Sequence, residues 1–163
     1  HTFPTRRSSD LIPRHAHKRG TCQKGQPFKG NVEGCDPRYS FRWIGKSNTV
    51  YVFEAPIDML SFISMYQKGW MDHSYVALCG VAEHALMQLL NDAPHISQIA
   101  LCLDHDKAGI QARERIKKNL SERGYHMVFS LFSNLKDWNE DLQELKKPPP
   151  EYMNRQQTVI QMM

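Results

Sequence analysis

A repeated order of apolar run, turn and amphipathic helix pattern between residues 49 and 124 constrains the fold most. The run TVYVFE precedes a helical pattern that starts near Pro56, SYVALCG precedes VAEHALMQLLNDA, and ISQIALCLD precedes KAGIQARERIKKNLSERG. Strands that alternate with helices of this length pair in parallel through right-handed crossovers. The unbroken apolar runs at 76–79 and 99–103 are typical of strands covered on both faces. The sequence therefore predicts an α/β fold, with a doubly wound, mostly parallel sheet and helices on both faces.

Two further segments extend the predicted sheet. YSFRWIG alternates apolar and polar residues, KSN supplies a turn, and TVYVFE follows, so this stretch predicts a β-hairpin that enters the sheet. YHMVFSLF, which follows the helix-terminating Gly124, predicts another strand.

The chain divides by composition into four parts. With 163 residues and 40% hydrophobic residues, it has the material for one compact domain. Residues 1–11, HTFPTRRSSDL, resemble the translation of a sequencing-adapter read, and we expect an artefact joined to a fragment that lacks its own N-terminus. Residues 12–37 carry repeated turn signals and predict a loop-rich lead-in. Residues 38–145 form the predicted domain, and 146–163, which contain three consecutive prolines, form a tail.

Charge and cysteine content narrow the class of protein. The chain has 21 basic and 17 acidic residues, a mild excess that fits a phosphate-bearing partner without requiring one. It carries no apolar stretch long enough for a bilayer and no secretory signal, so we expect a cytoplasmic protein without a membrane partner. His15, His17, Cys22 and Cys35 fit no tight pair of zinc ligands, and we expect no zinc.

Acidic residues follow the ends of the predicted strands. Glu54 ends one strand, Asp58 lies in the next helical turn, Asp104 and Asp106 end another strand, and Asp137 lies just beyond a fourth. Ligands of open parallel sheets bind beyond the carboxyl ends of the strands, and Mg²⁺ prefers carboxylate oxygens. Carboxylates collected at one edge would repel one another unless a cation or a proton neutralises them. Each acid alone also fits a turn former or a helix N-cap, but together they predict a metal site.

Three stretches carry a family resemblance. VFEAPIDMLSF, ALCLDHDKAG and LKDWNEDL, in this order and spacing, resemble the Toprim domains of bacterial primases and topoisomerases. The likeness is greatest to primase-like Toprim proteins of bacterial mobile elements, and it covers roughly residues 38–145. It implies a Rossmann-like sheet, with Glu54 as general acid-base and Asp104 and Asp106 as ligands of Mg²⁺, or alternatively Mn²⁺. Asp58 and Asp137 match positions that this family tends to keep acidic.

The resemblance also implies the partners and the chemistry. The implied partners are DNA or RNA, nucleotides, and other replication or mobilisation domains of a larger protein. The implied chemistry is metal-dependent phosphoryl transfer, such as the nucleotidyl transfer of primases. Alternatives are a non-catalytic module that binds metal and nucleic acid, and a Toprim nuclease. Lys18 and Arg19, with Lys24 and Lys29, either line a nucleic-acid groove or form a solvated surface. Lys107 and Lys136 flank the proposed ligands and either hold phosphate or pair with the neighbouring carboxylate.

Overall fold

The computed structural model of the chain describes residues 13–20, 28–80 and 82–147. All of the proposed artefact and most of the proposed tail, together with Cys22 and Lys24, lie outside the described residues. The strands are β1 (His17–Arg19), β2 (Lys29–Asn31), β3 (Arg42–Trp43), β4 (Thr49–Phe53), β5 (Ser74–Ala77), β6 (Gln98–Leu101) and β7 (Met127–Ser130). The α-helices are α1 (Pro56–Met65), α2 (His84–Asp92), α3 (Lys107–Glu122) and α4 (Trp138–Leu145).

The main sheet has five strands in the order β3-β5-β4-β6-β7. The four strands from β5 to β7 run parallel, and only the edge strand β3 is antiparallel to its neighbour. Strands β4 and β6 occupy the centre, where Val50, Val52, Ile99 and Leu101 are fully buried. The prediction of an α/β fold with a mostly parallel sheet is confirmed.

The predicted hairpin between residues 39 and 54 is wrong. Strand β3 pairs with β5, Trp43 opposite Tyr75, and not with β4. Both sides of β4 are already occupied by parallel partners, so no edge is open to β3. The predicted turn at residues 46–48 instead contacts the segment just before β5, because the Ser47 amide donates to the Asp72 carbonyl at 2.7 Å. The Gly45 backbone lies so close to the Asp72 and His73 carbonyls that any Cβ there would clash with them.

Helices cover the two faces of the sheet. On one face, α2 and α3 bury Leu86, Leu89, Ile116 and Leu120 against the central strands. On the other face, α1 and α4 contribute Met59, Phe62 and Trp138 to a second cluster, which includes Phe53 and Cys102. Each helix thus buries one side of its surface, as amphipathic spacing requires.

The strand order creates a crevice at one edge of the sheet. The connection through α1 leads from β4 to β5 on one side, and the connection through α2 returns to β6 on the other side of β4. Ligands of doubly wound sheets bind at such a reversal, beyond the carboxyl ends of the strands. Glu54 follows β4, and Asp104 lies three residues after the end of β6, so both lie at this crevice.

A small hairpin lies beside the crevice. Strands β1 and β2 form a separate two-stranded antiparallel sheet within the segment that the sequence predicted to be a loop-rich lead-in. The Asn31 side chain donates to the Cys79 carbonyl at 3.5 Å, which connects the hairpin to the loop after β5. Within the described ranges, none of the helices has the length and apolarity needed to cross a bilayer.

Candidate functional site

Four of the five predicted acids line one cavity. Glu54, Asp58, Asp104 and Asp137 face a space of about 330 Å³ at the crevice between β4 and β6. Three cationic residues and Ala55 complete its lining: Arg19, Lys29 and Lys136. The residues come from both sides of the strand reversal, so the cavity depends on the sheet topology and not on one contiguous motif.

Glu54, Asp58 and Asp104 have raised pKa values in this cavity. Burial, followed by the charge of Asp104, raises the pKa of Glu54 to about 7. Burial, followed by Asp104 and Asp137, raises the pKa of Asp58 to about 7. The pKa of Asp104 is also raised, first by burial and then by Asp137 and Asp106. Desolvation and repulsion between like charges both act against ionisation here, which is the electrostatic condition that a cation would relieve.

Among the acids of the cavity, Asp104 has an oxygen that is suited to a cation. Its side chain is buried, and its Oδ1 atom is shielded from solvent without any hydrogen-bond partner. A buried carboxylate oxygen without a partner costs free energy unless a cation or a proton satisfies it. The donor set of the cavity, made of carboxylate oxygens, is the set that Mg²⁺ and Mn²⁺ take in proteins.

Asp106 lies outside this cavity. It is the N-cap of α3, and its Oδ1 accepts a hydrogen bond from the Gly109 amide at 2.9 Å. Its charge nevertheless acts on the site, since it contributes to the raised pKa values of Glu54 and Asp104. In residues 13–20, 28–80 and 82–147, no three His, Cys, Asp or Glu side chains are close enough to form a ready-made metal site.

Asp137 also has a capping role. Its Oδ1 accepts from the Glu140 amide at 2.8 Å at the start of α4. Two of the predicted acids are thus helix N-caps: Asp137, which lines the acidic cavity, and Asp106, which lies outside it. Asp58 connects the helices differently, since its Oδ1 accepts from the Asn139 amide of α4 at 3.3 Å.

The loop that carries Lys136 and Asp137 is held by a residue that the sequence analysis missed. Asp141 is buried and accepts the Asn134 and Leu135 amides at 2.9 and 2.8 Å. The Lys136 carbonyl in turn accepts the His105 amide at 2.9 Å, which joins this loop to the one after β6. The only feature of the sequence that points to Asp141 is its position four residues after Asp137. Because this spacing is common on helix surfaces, it does not indicate a buried acid that binds the loop.

Arg113 and Gly109 support the segment that carries Asp104. Arg113 is buried, donates from Nη2 to the Leu103 carbonyl at 3.0 Å, and lies with its guanidinium carbon 4.4 Å from the centre of the Phe132 ring. A Cβ on Gly109 would overlap the Asp104 carbonyl oxygen. Only a glycine therefore lets α3 begin so close to the strand end. Gly109 lies in the stretch ALCLDHDKAG that carries the family resemblance, whereas nothing in the sequence around Arg113 indicates its contact with Leu103.

The predicted nucleic-acid-binding residues are divided between two places. Arg19 and Lys136 line the acidic cavity, whereas Lys107 begins α3 in an exposed position outside it. The Lys18 ammonium lies 5.5 Å from the centre of the exposed Phe28 ring. Lys29, which the sequence analysis assigned only to a possible groove, is closest to the acids, with its Nζ 3.9 Å from Glu54 Oε1.

The fold and this acidic crevice together define a doubly wound α/β domain with a carboxylate site at its strand reversal. A sequence profile for a family described as Toprim-like matches residues 51–142. The chain belongs to the Toprim-like family, and the resemblance noted in the sequence is thereby confirmed.

Two proteins and one solved structure are similar to this chain. An uncharacterized protein of Mycoplasma pneumoniae is 31% identical over 96 residues, which cover 58% of this chain and 43% of that protein. One of Mycoplasma genitalium is 30% identical over 97 residues, covering 58% and 42%. The chain therefore spans less than half the length of these curated relatives. The primase fragment of the bacteriophage T7 primase-helicase protein has a similar fold, with a TM-score of 0.50 and 24% identity over 69% of this chain and 44% of that one.

Proposed function

We propose that this domain performs Mg²⁺-dependent phosphoryl transfer on nucleic acid, with Mn²⁺ as an alternative ion, as the Toprim domain of a larger primase-like protein. The observation that carries the proposal is the cavity lined by Glu54 and three aspartates, with an unpartnered Asp104 oxygen among them. The expected reaction is nucleotidyl transfer in DNA replication or mobile-element maintenance in the cytoplasm. Its expected partners are DNA or RNA, nucleotides and the other domains of the parent protein.

Each acid has a proposed role. Asp104, with Asp58 and Asp137 beside it in the cavity, would hold the metal ion, and Asp106 would add its Oδ2, the oxygen that does not cap α3. An ion bound there would neutralise the carboxylates and stabilise negative charge that develops on a phosphoryl group. Glu54, with a pKa of about 7, suits a general acid-base because its two protonation states are both populated near neutral pH.

The cations supply the second half of the proposed site. Arg19, Lys29 and Lys136 lie at the acidic cavity, where they would contact the phosphates of a bound strand or nucleotide. Lys18 and Lys107 lie further out and would extend this contact along the backbone of a strand. We assign these five residues to nucleic-acid binding.

A non-catalytic module that binds metal and nucleic acid is the second candidate. The observation in its favour is that Asp106 and Asp137 each use a carboxylate oxygen to cap a helix. No ready-made set of three ligands is present in the part of the chain that the structure describes. A nuclease would use the same acids, so only the reaction product separates it from a primase.

The test combines a metal titration with two activity assays on the protein and on Glu54→Gln. Mn²⁺ binding is followed by calorimetry, and activity is measured as primer synthesis on single-stranded DNA and as nicking of supercoiled plasmid. We expect Glu54→Gln to lower turnover by about 100-fold or more, the usual contribution of a general acid-base, while Mn²⁺ affinity stays within about threefold. The matched control is Glu122→Gln, an exposed acid at the end of α3.

The outcomes separate the candidates. Equal turnover in Glu54→Gln and the parent protein contradicts the catalytic role of Glu54. Tight Mn²⁺ and DNA binding without turnover in either assay supports the non-catalytic module. Plasmid nicking without primer synthesis supports the nuclease.

A further inference from the structure

A second and larger cavity lies beside the acidic one. It encloses about 650 Å³ between the segment of β1, the residues around β3 and the start of α1. Arg19 and Ala55 line both cavities, so the two spaces meet at the point where β4 turns into α1. Its volume lies within the range of pockets that bind small organic ligands.

One wall of this larger cavity is apolar. Pro56, Ile57 and Leu60 form it from the first two turns of α1, and Phe41 faces the same space. Leu60 is 46% exposed and Phe41 48% exposed, although both are large apolar side chains. An exposed apolar wall inside a concave site is typical of a surface that packs against the ring of a ligand.

The remaining lining is cationic or neutral. His17, Arg19 and Arg42 contribute to it, and no acidic side chain does among the described residues. Arg42 forms an ion pair with Asp92 at 2.7 Å. Among the residues that the structure describes, Arg19 forms no ion pair. The Nε2 atom of His15, another lining residue, is shielded from solvent and has no hydrogen-bond partner.

Further positive charge surrounds the rim. The ring of Tyr39, which lines the cavity, has the guanidinium carbon of Arg14 at 4.5 Å from its centre. Those of Arg38 and Arg42 lie at 5.7 Å, but both guanidinium groups are paired at 2.7 Å, Arg38 with Asp36 and Arg42 with Asp92. The charges of Arg14 and Arg19 therefore supply the complementarity to an anion, in contrast to the neighbouring acidic cavity, which complements a cation.

We propose that this cavity binds one nucleotide, with its base against Pro56, Ile57 and Leu60 and its phosphate toward Arg19 and the acidic cavity. A nucleotide combines a flat aromatic base, whose faces pack against apolar surfaces, with an anionic group, and this is the pair of features that the wall and the cations match. The inference rests on the proposed function, because it adds a subsite next to the proposed reacting phosphate. The same chemistry is present in a nucleotide of a strand and in a free nucleoside triphosphate, and the probes below distinguish them.

The test uses Leu60→Glu, Leu60→Gln and a matched control in the whole chain. Because Leu60 is half exposed on α1, either substitution leaves the buried core intact. The control is Met127→Glu, which places the same charge at a 58% exposed apolar position on β7, at the opposite edge of the sheet from β3. The probes are a fluorescently labelled oligothymidylate, ATP and ribose 5-phosphate, and Mn²⁺ binding is measured in parallel by calorimetry.

We expect Leu60→Glu to weaken binding of the oligothymidylate or of ATP by about tenfold, the loss expected when a base loses its stacking surface. Leu60→Gln should weaken the same probe by about threefold, while ribose 5-phosphate, which has no base, is affected less. The probe that loses affinity identifies the source as strand or free nucleotide. Mn²⁺ affinity should remain within about twofold in both variants.

Three results would overturn the subsite: unchanged binding of both base-containing probes in Leu60→Glu, an equal loss in Met127→Glu, or normal affinity in Leu60→Gln. The Glu54→Gln assay reports separately on the proposed function. If that assay succeeds while the Leu60 variants bind normally, only the subsite is wrong. If Glu54→Gln retains full turnover while the Leu60 variants lose nucleotide, the subsite stands without the proposed catalytic role.

Discussion

Replacement of Asp58 by asparagine should make the metal-free protein more stable. Asp58 is 4% exposed, and it lies beside Asp104 and Asp137, whose charges oppose its ionisation. Its hydrogen bond from the Asn139 amide, at 3.3 Å, is also available to the amide oxygen of an asparagine. Asp58→Asn therefore removes the unfavourable charge and retains the contact between α1 and α4.

The size of the effect follows from the pKa. The folded chain raises the pKa of Asp58 from 3.8 to about 7. At about 1.4 kcal/mol per unit, complete ionisation in the folded state costs at most about 4 kcal/mol at pH 8. We expect about 2 kcal/mol, since Glu54 and Asp104 in the same cavity take up protons in place of Asp58. Near pH 4.5, where the folded chain holds its proton, the gain should fall below about 0.5 kcal/mol.

Urea denaturation with EDTA at these two pH values measures the difference. Asp141→Asn is the matched control, because Asp141 is also buried, at 7% exposure, but accepts two backbone amides at 2.9 and 2.8 Å. An asparagine offers only one acceptor oxygen, so Asp141→Asn should lower the free energy of unfolding by about 1–3 kcal/mol at both pH values. Two buried aspartates should thus respond with opposite signs.

The reasoning would be refuted if Asp58→Asn were no more stable than the parent protein at pH 8. It would also be refuted if the gain were the same at both pH values, because the charge would then not be its cause. Added Mg²⁺ or Mn²⁺ should reduce the advantage of Asp58→Asn, since a bound cation offsets the charge of Asp58, which only the parent protein carries.

Two other predictions concern the same edge of the sheet. The raised pKa values of Glu54 and Asp58 mean that the folded chain binds more protons than the unfolded chain between about pH 4 and 7. The free energy of unfolding of the metal-free protein should therefore fall as the pH rises through this window; a urea midpoint that rises instead would contradict it. Gly109→Ala should lower the free energy of unfolding by about 1–3 kcal/mol and weaken Mn²⁺ binding, because the new methyl group displaces the Asp104 backbone. Thermal denaturation measures the loss of stability, and calorimetry measures Mn²⁺ binding. An unchanged Mn²⁺ affinity would contradict the link between Gly109 and the position of Asp104.

The positions of Glu54 and Asp104 could be predicted from the sequence for a physical reason. In each case an apolar run ends and a helical period begins within a few residues, which marks the carboxyl end of a strand. Parallel strands then bring such ends to one edge, and both side chains line one cavity. Whether that cavity binds metal stays a prediction.

Other features could not be predicted, because they depend on contacts between distant segments. Nothing in the sequence around Trp43 shows that its strand pairs with β5, since the pairing is decided by which edges remain open. The roles of Arg113 and Asp141 depend on backbone atoms of Leu103 and Asn134 that approach them only in the folded chain. Asp106 matched both a cap and a ligand by pattern, and its bond to the Gly109 amide became visible only in three dimensions.

The acidic crevice lies between the two helical layers. Asp58 belongs to α1 and Asp137 precedes α4 on one face of the sheet, whereas Asp106, just outside the acidic cavity, precedes α3 on the other. A ligand gripped by residues of both layers would act as a clasp between them, so they would have to separate from it before either could open. Slower amide hydrogen exchange on the two faces at once, and not on one alone, would be the signature of such a clasp.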